Sequence, residues 1–478
     1  MEVRSSIIKE LTALGYNTVP ETFYSYVDLW KSWYDGDVKT FHHYSVYNGV
    51  NRVKCRRHTL GMAKKVCEDW ADLLMNEKVK ITLEGQKEQA FFDEVCKNNN
   101  FAIKINEMQE LKAAYGTAAI VPRVSDVTVD EVTGEVIGKS GKIHLDYCTA
   151  TEIFPLSWEN GIISECAFVV CKTIKNRNYV YFQIHHKNAE EKYVIENLLY
   201  SESNGNIKRV PLNSIAGFEN VPEQIETNSP NKQFVIDKLN IANNISHYLP
   251  MGVSVFANAI DQLKGVDIAY DSYVNEFILG KKRVYVKPEA VKSIDGEPVF
   301  DPNDTIFYIL PEDSADGTLI NQADSTLRTA EHNTGIQDML NILSAKCGFG
   351  EKHYSFDGTS VATATQVISE NSNMFRTLKK HEIPLEDELI ELCRIIIRLG
   401  NQYLGAGLNE DVEISIDFDD SIIEDKNAEM EKAFRLLATG LMKPEEARAI
   451  IMNEDIETAR AALPSTEDLT DEEQNEVE

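Results

Sequence analysis

The sequence predicts an α+β chain built from several parts, and three observations carry that reading. From Gly252 to Gly280, Phe256, Ile260, Leu263, Val266, Tyr270, Tyr273 and Phe277 recur at three- and four-residue intervals, which lines one face of a helix with apolar side chains. Between residues 117 and 225 the pattern changes to short alternating or β-branched segments separated by turn residues, as antiparallel strands require. The chain has 478 residues, enough for about three domains.

Taken in order, SSIIKELTALG reads as a short helix. An aromatic-rich stretch follows with Trp30, Trp33, Tyr34, Phe41, Tyr44 and Tyr47, read as packing residues because basic side chains do not interleave with them on a β-face. Leu60, Ala63, Cys67, Trp70 and Leu74 give one apolar face to a helix from Arg56 to Asn76, and KVKITL behind it reads as a strand. Helices are predicted at about 86 to 98 and 101 to 115, the second stopping at Gly116. AAIVPRV, GEVIG, KIHLDYC, ECAFVVCKT, YVYFQIHH and KYVIENLLY are the strands of the β region. Residues 232 to 248 look loosely helical. The helix at 252 to 280, with Ser254 as N-cap and Gly280 as its stop, should span about 25 residues, or roughly 38 Å. Its other side carries Asp261, Asp267, Asp271 and Glu276 against Lys264, and either a solvated face or a surface turned to something acid-tolerant accounts for that split.

Beyond it, RVYV and TIFYIL are predicted strands of a small β-module, and a second helix runs from about Ser325 to Lys346 with Leu327, Ile336, Met339, Leu340 and Leu343 apolar. GFGEKHYSFDGTSVA has no periodicity, and a loop of that length inside a compact chain is usually functional. A capping box, Thr363 with Gln366, opens a long helix to about Leu399, in which Pro384 predicts a kink or a break. DVEISIDFDDS reads as a strand with acidic residues outward. Two or three helices follow at 425 to 463, with Met430, Phe434 and Leu437 packing the first and Pro444 opening the second; PSTEDLTDEEQNEVE reads as a disordered acidic tail.

The net charge of −29 argues against a protein that grips nucleic acid, because that affinity comes from Lys and Arg displacing counterions. No apolar run approaches the roughly 18 residues of a membrane span, and MEVRSSIIKE has no apolar signal core, so cytoplasmic synthesis is expected. Cys55, Cys67, Cys96, Cys148, Cys166, Cys171, Cys347 and Cys393 are scattered and read as reduced core residues. Asp417, Asp419 and Asp420 could ligate a hard cation, and His185 with His186 could join a metal set, but a strand sends alternate residues to opposite faces, and a solvated strand edge is the preferred reading. GFGEK lacks the spacing of a phosphate loop, and no nucleophile elbow, zincin or kinase set is present. Catalytic residues, cofactors and metals are therefore not expected.

RRHTLGMAKKVCEDWADLLMNEKVKI, FPLSWENGIISECAF, GVSVFANAIDQLKGVDIAYDSYVNEFILGKKRVYV and HYSFDGTSVATATQVISENS, in that order, resemble segments of the portal, or head-to-tail connector, proteins of tailed double-stranded DNA bacteriophages with long non-contractile tails. The resemblance spans about 20 to 460. It implies a portal fold: an α/β wing (1 to 250), a stem helix (251 to 280), a small β-containing clip (281 to 324), a second stem helix (325 to 347), a tunnel loop (348 to 362), a kinked helix with a returning wing strand (363 to 424) and a helical crown (425 to 463), before the tail at 464 to 478.

The same resemblance implies a ring, typically of twelve copies, at a capsid vertex of the virion, assembled in the host bacterial cytoplasm. Double-stranded DNA would pass through it without tight sequence-specific binding. Its implied partners are the terminase large subunit, a head-completion adaptor, and the major capsid and scaffolding proteins, with no membrane; another capsid or scaffold-type protein, or a metal-dependent hydrolase on the Asp417 cluster, are the competing readings. Gly350, Glu351, Lys352, His353, Tyr354, Ser355, Phe356 and Asp357 would form the tunnel loop. Asp261, Lys264, Asp267, Asp271 and Glu276 are the candidates for lining the channel, and Lys281, Lys282, Arg283, Asp295 and Glu297 for docking partners on the clip.

Overall fold

Buried aromatic side chains organise the N-terminal part. In the computed structural model, which describes residues 2–47, 49–76, 79–126, 141–280, 283–286, 307–309, 320–323, 326–354, 364–418, 426–452 and 456–463, helix α1 (Glu2–Ala13) is followed by α2 (Glu21–Tyr34). Phe23, Val27, Trp30 and Trp33 recur at helical spacing along α2 and are buried, so the first part of the aromatic-rich stretch is a packing helix, whereas Tyr44 and Tyr47, also read as packing residues, are exposed. Arg4 clamps Asp28 through two bonds of 2.6 and 2.9 Å, joining α1 to α2. A short α3 (Lys39–His42) leads into a hairpin, β1 (His43–Tyr47) and β2 (Arg52–Arg56), which the sequence reading did not anticipate.

The next helix, α4 (Met62–Leu74), starts later than Arg56 because the hairpin claims those residues. After β3 (Lys80–Leu83) come α5 (Gln86–Asn98) and α6 (Phe101–Tyr115), both as expected. Strands β4 (Thr117–Ser125) and β5 (Lys142–Thr149) begin the β region. It continues through β6 (Ile153–Glu159), β7 (Ile162–Ile174), β8 (Arg177–Lys187), β9 (Tyr193–Ser203) and β10 (Asn206–Val210), an antiparallel meander in which β11 (Gln224–Glu226) adds to β9. GEVIG lies outside the described residues. The expected loose helix at 232 to 248 is instead a strand, β12 (Val235–Lys238), antiparallel to β4. Its side chains explain the difference: Phe234, Val235 and Ile236 are buried, and Asp237 accepts from Lys112 Nζ at 3.0 Å and Gln109 Nε2 at 2.8 Å on α6. A buried carboxylate so held fixes the register of β12.

The long helix, α7 (Ile260–Leu279), is shorter than the predicted 252 to 280. Val255 N–H and Ser254 Oγ both donate to the Ala113 carbonyl, at 2.9 and 3.1 Å, and Gly252 N–H donates to Thr117 Oγ1 at 2.9 Å. These bonds lay the segment against the end of α6, so Ser254 is a tether to that end and not the N-cap. Gly116, at φ 82°, approaches so closely that an added Cβ would stand 2.6 Å from the Gly252 carbonyl oxygen. Beyond α7, β13 (Arg283–Val286) pairs in parallel with β14 (Phe307–Ile309) and antiparallel with β15 (Ile320–Ala323), a strand not foreseen.

The chain returns through α8 (Thr329–Lys346), which packs along α7. At Gly265 a Cβ would lie 3.1 Å from Met339 Sδ, so the two helices cross closely there. Helix α9 (Ala364–Leu404) runs unbroken through Pro384, so the break anticipated there does not occur. The proposed Thr363 cap lies outside the described residues. Strand β16 (Ile414–Asp417) returns to pair with β3, Asp417 opposite Lys80. Helices α10 (Lys426–Ala438), α11 (Pro444–Met452) and α12 (Ile456–Ala461) close the described chain. Their small buried side chains are Ala433, Ala447 and Ala459, whereas Phe434, expected to pack inside, is exposed.

Candidate functional site

The side chains singled out on α7 divide into three environments. Asp267 is 3% exposed and lies against the root of the hairpin. One of its oxygens accepts from Leu60 N–H at 2.9 Å and Thr59 Oγ1 at 3.1 Å, and the other meets His42 Nε2 at 3.0 Å. His42 Nδ1 accepts the Val38 backbone N–H at 2.8 Å, which leaves Nε2 to carry the ring proton and donate it to Asp267. One turn on, Asp271 Oδ1 accepts both the backbone N–H and Nδ1 of His58, at 2.9 and 2.8 Å. The i, i+4 spacing of these two carboxylates puts them on one helix face, and that face grips both chains of the hairpin's base. The expectation that Asp267 and Asp271 line a channel does not hold, since buried carboxylates spent on their own chain present no surface to a lumen.

Glu276 occupies a second environment. It receives Arg328 Nε at 3.1 Å and Nη2 at 2.8 Å, with His332 Nε2 at 3.6 Å, and so straps α7 to the start of α8. The Arg328 hydrogen bond holds the Glu276 carboxyl down at about 2. In the third environment, Asp261 is 85% exposed in its side chain and pairs with Lys264 at 2.9 Å, a surface contact that leaves both groups open to solvent.

Apolar residues on α7 and α8 differ in cover. Leu263, Val266, Ile336, Leu340 and Leu343 are buried, whereas Ile268, Phe277, Ile278, Leu279, Met339 and Ile342 are exposed, Leu279 at 66%. On α7 the helical stripe read from the sequence is covered at Leu263 and Val266 and uncovered at Phe277, while the exposed Met339 of α8 lies beside Gly265, near the base.

The first residues of the expected tunnel loop belong to the packed structure. Ser344 Oγ donates to the Gly350 carbonyl, and Gln337 Nε2 donates to that of Tyr354 at 3.2 Å. His353 stacks on Phe349 with ring centres 4.3 Å apart, and Phe349 stacks in turn on Trp70, whose Nε1 donates to the Cys347 carbonyl at 3.0 Å. Burial acts to raise the Asp69 carboxyl, but the neighbouring His353, Lys65 and Tyr354 outweigh it, Lys65 Nζ donating to Oδ1 at 2.5 Å, and hold the group below its ordinary range. Burial and the neighbouring Asp69 push the Tyr354 hydroxyl's ionisation far up. Glu351 and Lys352 are exposed; Ser355, Phe356 and Asp357 lie outside the described residues. On the clip, Arg283 starts β13, and Lys281, Lys282, Asp295 and Glu297 lie outside the described residues.

His185 is buried with Phe168 and Phe234 edge-on to its ring, and burial lowers its pKa to about 3. It is a neutral core side chain and no ligand partner for Asp417. Among the described residues there is no cluster of His, Cys, Asp or Glu that could hold a metal ion, and no helix is long and apolar enough to cross a membrane. What sequence reasoning missed is the hairpin. Its signal was present: VYNGVNRV puts an Asn-Gly turn between residues of alternating character.

A family model described as "Phage portal protein, SPP1 Gp6-like" matches residues 17–476. The chain finds no match among curated proteins. Among solved structures, one from "Neck of native GTA particle computed with C12 symmetry" is 10% identical with a TM-score of 0.40, over 84% of this chain and 90% of that one, a likeness too loose to carry an argument.

Proposed function

Because the chain belongs to the SPP1 Gp6-like phage portal protein family, structural proteins of the phage particle and its head-to-tail connection, we propose that copies of it form a ring at one capsid vertex. Its axial channel admits double-stranded DNA during packaging and releases it during ejection. The observation that carries this reading is the family match across nearly the whole chain. The uncovered apolar side chains at the tip of α7 support it, since Phe277, Ile278 and Leu279 would be covered by neighbouring subunits.

Net charge favours a conduit over a clamp. A surface rich in carboxylates repels phosphates, and repulsion lets a duplex slide. Asp261, Lys264 and Glu276 remain the stem candidates for the channel wall. Lys281, Lys282, Arg283, Asp295 and Glu297 would meet the terminase large subunit during packaging and the head-completion adaptor afterwards, and the wing would meet capsid and scaffolding proteins. Assembly would take place in the host bacterial cytoplasm.

The test is an electron-microscope image of the purified full-length protein in negative stain. Rings with a central hole, about twelve-fold, are expected; a monodisperse monomer at every concentration would sink the reading. A second variant refines the loop. Because 350–354 pack on α4 and α8, a deletion confined to 355–361 should leave rings intact and impair packaging.

A further inference from the structure

The β1–β2 hairpin is exposed on both faces, with Cys55 alone half-buried, and a two-stranded hairpin standing by itself in water is marginal. Its register separates the two faces by chemistry. Tyr44 pairs with Cys55 and Val46 with Val53 on one face, while His43 pairs with Arg56, Ser45 with Lys54 and Tyr47 with Arg52 on the other. One face is therefore apolar and uncovered, with Val46 48% exposed, and the other is cationic. Between Val38 and Cys67 the sequence has seven Lys or Arg and no carboxylate, in a chain whose net charge is −29. The base is fixed, by Asp267 and Asp271 on α7 and by Arg57, which donates to the Phe41 carbonyl at 2.7 Å and lies over the Phe41 and Tyr44 rings. A rigid root carrying an uncovered amphipathic ribbon is a built projection, held out for something to cover it.

We infer that this hairpin docks on the stem helices of a second copy of the chain, its apolar face on exposed aliphatic side chains and its cations against carboxylates. The matching surface is on α7 and α8. Asp261 and Ile268 share a face of α7 with Gly265, where Met339 of α8 makes its close approach, and Asp338 and Ile342 flank Met339 one turn along α8. That surface offers three exposed aliphatic side chains and two exposed carboxylates. In a cyclic ring, neighbours are related by rotation without translation, so elements meet at equal heights. The hairpin is rooted at Asp267 and Asp271, level with that patch. A nucleic-acid partner fits less well, because phosphates would engage the cationic face alone and leave Val46, Val53 and Cys55 uncovered.

This inference rests on the ring reading, and the experiment separates the two. Wild-type full-length protein is assembled and hydrogen exchange is followed residue by residue. Amides of 44–55 should exchange at least about tenfold more slowly in the ring than in monomer. The triple variant Arg52→Glu, Lys54→Glu, Arg56→Glu alters exposed side chains, Arg56 meeting the carboxylate of Asp37 in a surface pair at 3.9 Å, so it should melt close to the wild type yet assemble about tenfold less well, and adding Asp261→Lys and Asp338→Lys should restore rings. If the wild type forms no ring, the ring reading falls and this one with it. If rings form while 44–55 exchange as fast as in monomer, or the reversed stem fails to rescue, the docking is wrong and the ring stands. If the triple variant assembles normally but loses affinity for duplex DNA, the hairpin is a nucleic-acid element and the inference is overturned.

Discussion

The two ends of α7 are made of the same kinds of residue and do opposite things. Near its base, Asp267 and Asp271 are enclosed with His42, Thr59, Leu60 and His58, and Leu263 and Val266 are buried. Towards its tip, Glu276 is bonded to an arginine whose side chain is 67% exposed, and Phe277, Ile278 and Leu279 are exposed. Charge inside and apolar groups outside reverse the usual rule for a soluble helix. The reversal teaches that the base completes the protomer's own fold, while the apolar groups at the tip are left largely uncovered by it, as the proposed ring would require.

The strongest way to break that comparison is at the base. Asp267→Ala leaves the His42 and Thr59 donors and the Leu60 N–H without their acceptor, so the protomer should lose about 3 to 5 kcal/mol, read as the shift in a denaturant melt. A loss under about 1 kcal/mol would mean that the clamp is a surface feature after all.

Next in size is a test of whether burial governs charge elsewhere in the protomer's core. Burial pushes the Glu388 carboxyl on α9 up to about 7 from 4.5. Between those values the folded chain keeps a proton that the unfolded chain releases, so wild-type stability falls as pH rises from 4.5 to 7. Glu388→Gln lacks that slope. It should match the wild type near pH 4.5 and exceed it above pH 7 by up to about 3 kcal/mol, measured by parallel melts.

These effects also mark what could be read from sequence. Strands β4, β5, β7, β8 and β9 and helices α5 and α6 were legible because their apolar residues alternate or recur at fixed spacing, whereas β6 and β10 were not singled out. The start of α7 was not, because Gly252 to Phe256 continue the helical pattern while long-range bonds to Ala113 and Thr117 hold them out of the helix. β12 was hidden for a related reason, since the Lys112–Asp237 pair that fixes it joins residues 125 apart in sequence. Among the proposed site residues, the four carboxylates of α7 read as one face but divide among three environments, and the partners of Asp267 and Asp271 lie more than 200 residues upstream.

At the tip the expected changes in protomer stability are small and the assembly readout is large. Phe277→Ser with Leu279→Ser removes apolar area that the single chain does not bury, so the monomer's melt should move by less than about 0.5 kcal/mol while the fraction of rings falls. An equal loss of monomer stability would show that the tip packs within the chain.

Smallest of all is the strap between the helices. Glu276 is held at about 2 by Arg328, so the stabilisation it gives is present above its ordinary 4.5 and fades as pH falls towards 2. Arg328→Gln should lower the melting temperature slightly at pH 7, and the gap from the wild type should close on acidification and with added salt, because the arginine is open to solvent and its attraction is screened. A large, salt-independent drop would place real stability at the tip and weaken the contrast with the base. A gap that closes in this way would leave the tip joined within the chain by one screened ion pair and by the contact of α7 with α8, which is the degree of looseness that an end completed by its neighbours requires.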